Sequence, residues 1–195
     1  SFFTFIIVYL SLYVYAFITP KFQINTSKNI IYYDKNNDDI FSENLNNDYV
    51  KLSDITNFTK NAIISIEDKN FYNHRGFDYP RILKAMIINI KSGKIKQGAS
   101  TISQQYIKNL YLTFDKTWER KIEEAFLTLE LETHYSKNEI LEGYLNTIDF
   151  GGGNYGIKEA SKYYFNKNPK ELTKAEASIL VGIPKSPNYY NPIFN

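Results

Sequence analysis

Apolar residues recur at the spacing of an α-helix through most of the chain beyond residue 50. In the first such stretch they are Ile55, Phe58, Ala62, Ile63 and Ile66. Ser53 or Asp54 can cap the helix that this stretch predicts. A longer helix is predicted from about Thr117 to His134. Its inward positions are expected to be Trp118, Ile122, Ala125, Phe126 and Leu129.

Capping residues and glycines predict where other helices begin and end. Asp78 and Pro80 open a helix over residues 81–91, and Gly93 can end it. Ser100 can cap a third helix through residue 108. Two later starts are predicted by the capping boxes Ser136 with Glu139 and Thr173 with Glu176. Together these elements predict a mainly α domain.

The first twenty residues carry no charge and are dominated by Phe, Ile, Val, Leu and Tyr. About twenty such residues suffice to cross a hydrocarbon layer about 30 Å thick. Residues 17–20 offer no small-residue cleavage site, which disfavours a signal peptide. A transmembrane anchor over residues 1–20 is therefore predicted, with a buried core helix as the alternative. Residues 21–50 are expected to form a juxtamembrane connector with a short strand at 30–33.

Charge is distributed unevenly along the chain, although its net value is only +2. Residues 79–114 contain no Asp or Glu. The basic residues of this segment are Arg81, Lys84, Lys91, Lys94, Lys96 and Lys108. Such a block favours an anionic partner: nucleic acid, anionic lipid headgroups or a substrate linked through pyrophosphate. The predicted anchor favours the last two, so no nucleic-acid partner is expected.

Several other classes of site are disfavoured by the composition. The chain has no cysteine, which excludes disulfides, thiolate catalysis and zinc thiolate sites. Its two histidines, His74 and His134, lie far apart in the sequence, so an imidazole metal site is not expected. The glycine run 151–153 has no strand before it, which disfavours nucleotide binding and indicates a loop between helices.

Two neighbouring acids, Glu67 and Asp68, lie in the last turn of the first predicted helix. The helix dipole disfavours negative charge there by about 0.3–1 kcal/mol for each group. Positions that break a local rule are enriched in functional sites, and solvated acids at a helix end are the ordinary alternative. His74 lies in a polar turn, which by itself favours a structural role.

A second polar cluster combines hydroxyls, amides and an ammonium group at the start of the third helix. Its members are Ser100, Thr101, Gln104, Gln105 and Lys108. These groups suit a phosphate-rich ligand, and the alternative is a helix cap followed by a solvated face. Further on, Arg120 and Glu124 form an i, i+4 pair, which is usually a surface ion pair worth about 0.3–0.5 kcal/mol.

Three segments, residues 67–76, 98–105 and 120–124, follow one another in order behind the apolar N-terminal stretch. Together they resemble the glycosyltransferase domain (family 51) of class A penicillin-binding proteins and monofunctional peptidoglycan glycosyltransferases. The resemblance implies a lysozyme-like, mainly helical fold. It also implies an enzyme that polymerises lipid II into β-1,4-linked glycan strands by inverting displacement of undecaprenyl diphosphate.

Roles for individual residues come from this resemblance. It assigns Glu67 as the base that deprotonates the 4-hydroxyl of the acceptor N-acetylglucosamine, and Glu124 as the second catalytic carboxylate. The substrate-binding residues that it implies are Asp68, Lys69, Phe71, His74, Gly98, Ser100, Thr101, Gln104, Gln105, Lys108, Lys116, Arg120 and Lys121. Among these, Lys108, Lys116, Arg120 and Lys121 are the cations expected near the diphosphate. Gly76 completes the first motif.

The expected partners are lipid II, the growing lipid-linked glycan chain, membrane lipids and other cell-wall synthesis proteins. The implied location is the cell membrane, with one span and the catalytic domain on the extracytoplasmic face. No cofactor is required by the sequence and no residues fix a metal ligand set, although magnesium or manganese near the diphosphate helps some members of the family.

The resemblance covers about residues 50–195 and includes a capped helix at 137–146 that is expected to be mainly structural. Lys69, Ala99 and Ser103 depart from the residues most common in the family but keep their charge or size class. The family's final Arg-rich motif would lie beyond Asn195, so a glycosyltransferase domain over 51–195 is expected to be truncated there. Two rivals stay open: a muramidase of the same fold, and an anchored scaffold that binds lipid II without turnover.

Overall fold

The structure is a computed structural model, and it describes residues 2–22, 24, 29–33, 39–44, 49–94, 96–111, 117–185, 187–190 and 192. It confirms the prediction of a mainly α fold. The α-helices are α1 (Phe2–Ile18), α2 (Asn57–Glu67), α3 (Tyr79–Ser92), α4 (Ile102–Tyr111), α5 (Trp118–His134), α6 (Lys137–Thr147), α7 (Ile157–Phe165), α8 (Lys174–Gly182) and α9 (Pro187–Tyr190). Short 3-10 helices are Leu52–Asp54, Phe71–Asn73, Pro169–Glu171 and Ile183–Lys185.

A hairpin lies within the segment that was predicted to be a connector. Strand β1 (Asn29–Tyr33) pairs antiparallel with β2 (Asp39–Asn44), and Ile30 lies opposite Glu43. The first strand confirms the prediction at residues 30–33, whereas β2 was not predicted. A juxtamembrane position for this segment stays a prediction.

The chain divides into two compact units. Unit 1 comprises residues 1–22 and 63–144, and unit 2 comprises residues 23–62 and 145–195. In unit 1, α4 and α1 both pack against α5. The core of unit 1 includes Ile63, Phe71, Ile102, Tyr106, Ile107, Leu131, Ile140, Leu141 and Tyr144. The core of unit 2 includes Leu145, Phe150, Ile157, Ala160, Ala177, Leu180, Val181 and Ile183. Burial of each large apolar side chain stabilises its unit by roughly 1.5–3 kcal/mol.

The predicted boundaries of α3 are confirmed by its caps. The Asp78 carboxylate accepts a hydrogen bond from the backbone N–H of Arg81 at 3.0 Å. At the other end, Gly93 adopts a left-handed conformation with φ of 62°, which glycine reaches without steric cost. The predicted capping boxes at the starts of α6 and α8 are also present. The glycine run 151–153 lies in the loop between α6 and α7, as predicted.

The predicted caps of α2 and α4 are wrong by one to three residues. Helix α2 begins at Asn57, where the Thr56 hydroxyl accepts a hydrogen bond from the N–H of Thr59 at 3.1 Å. Ser53 and Asp54 instead belong to the preceding 3-10 helix. This error and the one at α4, described next, have the same cause: several residues that can cap a helix adjoin each helix start, and the sequence alone does not select among them.

Helix α4 is capped by Thr101 rather than by Ser100. The Thr101 hydroxyl accepts from the N–H of Gln104 at 3.3 Å, and the Gln104 side-chain carbonyl accepts from the N–H of Thr101 at 3.1 Å. This reciprocal pair is a capping box, with glutamine in the place of the more usual glutamate. The Asp68 carboxylate accepts a third helix-terminal donor, the N–H of Ile102, at 3.1 Å.

The predicted inward face of α5 is wrong. Leu129 is buried, but Trp118 is 83% exposed, and Ile122 and Phe126 are also exposed. The buried face carries Glu124 and Thr128 instead. Helical periodicity distinguishes the two faces of a helix, and the apolar face is ordinarily expected to be buried. In α5 the arrangement is reversed, because polar residues are buried and an apolar stripe is exposed.

Helix α1 has 17 residues and an apolar surface. Its side chains Ile7, Leu10, Val14, Phe17 and Ile18 are each more than half exposed, which disfavours a buried core helix. Among the described residues, however, no helix combines the length and the apolar character that crossing a bilayer requires. The predicted transmembrane anchor is therefore unconfirmed.

Candidate active site

Glu67 is the last residue of α2, and its two carboxylate oxygens have different surroundings. Oε2 accepts a hydrogen bond from the side-chain amide of Gln105 at 2.9 Å. Oε1 is buried and has no hydrogen-bond partner within the described ranges. The Arg81 guanidinium donates to the backbone carbonyl of Glu67, which holds the end of the helix. A carboxylate that is held at one oxygen and desolvated at the other suits a general base.

Asp68 is fully buried and is bound to protein groups on several sides. The His74 Nε2 atom lies 3.0 Å from its carboxylate oxygens, and the N–H of Ile102 donates to Oδ2. These contacts join the turn after α2 to the start of α4. They favour a positioning role for Asp68 and His74 over direct contact with substrate.

Phe71 and Gly76 shape the same turn through packing. Phe71 is fully buried, and the Lys137 ammonium lies 4.5 Å from its ring centroid. Gly76 has a φ of +85°, and a Cβ atom there would lie 2.9 Å from Cγ2 of Thr128. Its carbonyl accepts a hydrogen bond from the Thr101 hydroxyl at 2.6 Å. The turn therefore needs glycine for its conformation and for its close approach to α5.

Two consecutive glutamines on α4 reach the two carboxylates that the sequence singled out. The Gln104 side-chain amide donates to Glu124 Oε1 at 3.2 Å. The Gln105 amide donates to Glu67 Oε2 at 2.9 Å. Helix α4 therefore lies between Glu67 and Glu124 and contacts both.

Glu124 is only 2% exposed, so its pair with Arg120 is not the surface ion pair that the spacing alone indicates. The Arg120 guanidinium lies 2.8 Å from Oε2, and the Lys121 ammonium donates to Oε1. Removal of one partner of a buried pair typically costs about 3–5 kcal/mol, because a charge is left uncompensated. Glu124 thus fixes two cations beside α4.

Lys108 lies within electrostatic reach of Glu67, Glu124, Arg120 and Lys121. Burial lowers the pKa of its ammonium group, and the nearby cations Arg120 and Lys121 lower it further. Glu124 and Glu67 oppose this effect and raise the pKa. The structure therefore brings both carboxylates and three of the predicted cations into one cluster in unit 1.

The remaining predicted residues are less constrained. Lys69 and Gly98 are exposed, and Ser100 is half-buried. A Cβ atom at Gly98 would meet nothing within 4 Å, so packing does not require glycine there. Lys116 lies outside the described residues. Their roles stay predictions.

Comparison with known proteins identifies the family of the chain. Residues 35–195 match the transglycosylase family. The chain belongs to this family. The match begins ahead of the boundary predicted at residue 51 and takes in β2.

Penicillin-binding proteins are among the relatives of the chain. It is 55% identical over 147 residues to penicillin-binding protein 2D of Bacillus subtilis, covering 75% of this chain and 21% of the relative. It is 41% identical over 182 residues to penicillin-binding protein 1F of the same organism, covering 93% of this chain and 25% of the relative. It is 45% identical over 148 residues to penicillin-binding protein 1A of Neisseria gonorrhoeae, covering 76% and 18%. The chain thus spans a quarter or less of the length of these relatives.

Two residues that support the cluster of carboxylates and cations were not predicted from the sequence to do so. Arg81, predicted only as part of a basic segment that favours an anionic partner, donates to the carbonyl of Glu67. Tyr144, in a helix expected to be structural, donates to Gln105 Oε1 at 3.3 Å. No local pattern marks either contact, since both join residues far apart in the sequence.

Among the described residues, no group of three or more His, Asp or Glu side chains is close enough to hold a metal ion. No ligand set for magnesium or manganese can therefore be named in this part of the chain.

Proposed function

We propose that this transglycosylase is a peptidoglycan glycosyltransferase that polymerises lipid II into β-1,4-linked glycan strands. The family match and the penicillin-binding relatives support this proposal. The observation that carries it is the pairing of a held, partly desolvated carboxylate at Glu67 with a cationic cluster around Glu124, both in contact with α4. A base and a diphosphate site are what the transfer requires.

In the proposed reaction, Glu67 accepts the proton from the 4-hydroxyl of the acceptor N-acetylglucosamine. The hydroxyl oxygen then forms a bond to C1 of the donor N-acetylmuramic acid, on the face opposite the leaving group. The bond from C1 to the diphosphate oxygen breaks, and its electron pair leaves with undecaprenyl diphosphate. One displacement of this kind inverts the anomeric centre, so the α-linked donor gives a β link.

Negative charge develops on the diphosphate as that bond breaks, and fixed cations stabilise it without reorganisation. Lys108, Arg120 and Lys121 are the cations proposed for this part, which is supported by their proximity to Glu124. Arg120 also offers a planar group that can contact phosphate oxygens through two donors. Glu124 holds Arg120 and Lys121 in place, so its proposed part is to organise the leaving-group side.

The site is proposed to work at the outer surface of the cell membrane, in a lysozyme-like domain over residues 51–195. Exposed apolar side chains on α1, α3 and α5, all in unit 1, support membrane contact. Residues 1–20 are proposed as the single-pass anchor and residues 21–50 as the connector. Lipid II, the growing glycan chain, membrane lipids and other cell-wall synthesis proteins are the proposed partners.

Polymerisation of fluorescently labelled lipid II by the detergent-solubilised chain tests the function. We expect a ladder of glycan products and release of undecaprenyl diphosphate. Binding of lipid II without any polymer would contradict the proposal in favour of a scaffold. Cleavage of preformed glycan into muropeptides, with no synthesis, would contradict it in favour of a muramidase.

A further inference from the structure

We propose that Tyr144 is a positioning residue for the reaction, acting on Glu67 through the side-chain amide of Gln105. This inference rests on the function proposed above, in which Glu67 is the general base. Tyr144 lies in α6, and its hydroxyl contacts the side chain of Gln105 on α4.

A chain of two hydrogen bonds joins the three side chains. The Tyr144 hydroxyl donates to Gln105 Oε1 at 3.3 Å, and Gln105 Nε2 donates to Glu67 Oε2 at 2.9 Å. Tyr144 is fully buried. Its hydroxyl is therefore out of reach of bulk water, and Tyr144→Phe would remove this donor from Gln105 Oε1 without a water to replace it.

The two ends of the Gln105 amide have opposite polarity but nearly the same shape. With Nε2 toward Glu67, the carboxylate receives a donor. With Oε1 toward Glu67, a carbonyl dipole would face a negative charge. A donor at the far end of the amide favours the first orientation, and the Tyr144 hydroxyl is that donor. The charge of Glu67 itself favours Nε2, and the donating Tyr144 hydroxyl reinforces this orientation by holding Oε1 at the far end.

The hydroxyl remains a donor at neutral pH. Burial raises the pKa of Tyr144 well above its ordinary value, and the charges of Glu67 and Asp68 raise it further. A neutral phenol keeps its O–H bond, so the contact with Gln105 persists wherever the carboxylate is ionised.

This arrangement distinguishes the two oxygens of the base. Oε2 is held by Gln105, whereas Oε1 is buried and lacks a hydrogen-bond partner in the described part of the chain. In this proposal Oε1 takes the proton of the acceptor hydroxyl, and Tyr144 keeps Oε1 in position by holding the amide that binds Oε2.

The substitution Tyr144→Phe removes the hydroxyl and keeps the ring that fills the core. We expect kcat for lipid II polymerisation to fall roughly three- to tenfold, as for one lost neutral hydrogen bond, with KM changed less than about twofold. The control is Tyr164→Phe, which removes a hydroxyl that donates to the Phe150 carbonyl at 3.0 Å. This control should retain the wild-type kcat.

A double-mutant cycle separates positioning from a general structural effect. In a Gln105→Ala background, Tyr144→Phe should change kcat by less than about twofold, because the group it acts through is gone. Replacement of Tyr144 by 4-aminophenylalanine, which restores a donor at the same place, should recover most of the wild-type rate. Equal losses from Tyr144→Phe in both backgrounds would overturn the proposal.

Hydrogen exchange of the Gln105 side-chain amide does not require catalysis, so it tests the positioning role separately from the proposed function. The side-chain amide resonances of Gln105 can be assigned by their loss in Gln105→Ala. We expect slower hydrogen exchange of this amide in the wild-type chain than in Tyr144→Phe. Identical exchange in both would overturn the positioning role, whether or not the chain polymerises lipid II. Wild-type protein that makes no polymer, yet shows the exchange difference, would reject only the proposed function.

Discussion

At the scale of single residues, the base is the most direct test of the site. Glu67→Gln keeps size and burial but removes the group that accepts the proton. We expect polymerisation to fall by about 10²–10⁴, the usual contribution of a general base. The melting temperature should change little, since a glutamine oxygen can still accept from Gln105.

The matched control for this prediction is Glu123→Gln, which changes an exposed acid on the same helix as Glu124. It should leave polymerisation unaffected. Initial rates on labelled lipid II, measured beside thermal melting curves, provide the comparison. Activity of Glu67→Gln within tenfold of wild type would remove Glu67 from the proposed role. Glu124→Gln should also be severely impaired, with part of its loss in substrate binding.

The second prediction concerns Lys108, one of the cations proposed to bind the diphosphate. Lys108→Ala should leave the free energy of unfolding within about 1 kcal/mol, because a half-buried lysine contributes little to stability. It should nevertheless lower turnover at least tenfold, a loss of about 1.4 kcal/mol of transition-state stabilisation. Steady-state kinetics and denaturant melts of the same samples measure both quantities, with the exposed Lys185→Ala as control.

Arg120 is expected to affect stability as well as turnover, because its partner Glu124 is buried, whereas the spacing alone had indicated a pair on the surface. Arg120→Ala should lower turnover at least as much as Lys108→Ala does. It should also destabilise unit 1 by roughly 1–3 kcal/mol, because buried Glu124 loses the guanidinium that lies 2.8 Å from its Oε2. Arg120→Lys should retain part of the rate. Normal polymerisation by both alanine variants would reopen the scaffold alternative.

At the scale of elements, two capping boxes allow the same substitution to be compared in different surroundings. Thr173→Ala removes the exposed cap of α8 and should cost about 1 kcal/mol of stability without loss of activity. Thr101→Ala removes a buried cap that also donates to the Gly76 carbonyl. It should cost more and should lower polymerisation, because α4 carries both glutamines of the site.

Thermal melting and lipid II polymerisation of the two variants measure this difference. A threonine-to-serine change at each position is the control, since serine can form the same cap. Equal losses of stability, with full activity in Thr101→Ala, would show that the placement of α4 does not depend on its cap.

Capping residues and helical periodicity predicted where helices begin and end better than they predicted which face of a helix is buried. Asp78 and Gly93 bound α3 as expected, because a cap depends on neighbours in the sequence. The buried face of α5 was missed, because Glu124 is buried through partners on α4 that no periodicity reveals. The motifs located Glu67, but the partner that holds it, Gln105, follows 38 residues later and is joined to it only by the fold.

At the scale of the whole molecule, exposed apolar surface in unit 1 is the feature that bears on location. On α3, the side chains Leu83, Met86, Ile87 and Ile90 are exposed beside basic residues. This combination predicts that α3 is a surface helix on an anionic membrane. We expect Lys84→Gln, Lys91→Gln and Lys94→Gln together to weaken binding to vesicles that contain anionic lipid. Arg81 is left unchanged because it contacts Glu67.

Binding of this triple variant to neutral and anionic vesicles, with residues 1–20 removed, measures the effect. Each lysine near an anionic membrane contributes about 1 kcal/mol, so a loss of tenfold or more in affinity is expected. The control is a triple variant of exposed lysines in unit 2, at positions 162, 170 and 185. Unchanged binding of the α3 variant would reject the surface-helix prediction.

The chain's single tryptophan offers a direct probe of the same surface. Trp118 is on the exposed apolar stripe of α5 with Ile122 and Phe126. In vesicles whose lipids are brominated near the headgroup end of the acyl chain, its fluorescence should be strongly quenched. A Trp118→Phe, Tyr163→Trp variant, which moves the probe to an exposed position in unit 2, should be quenched much less. Equal quenching of both would contradict membrane contact through α5.

Gln104 and Gln105 are neighbours in the sequence, so their side chains leave α4 about 100° apart around its axis. One contacts Glu124 and the other contacts Glu67. The rotation of α4 about its axis therefore determines both contacts together. Rotating or sliding the helix cannot change one of these hydrogen bonds without changing the other. An inhibitor that turned this helix by a fraction of a residue would disconnect the proposed base and the proposed diphosphate cluster in the same motion.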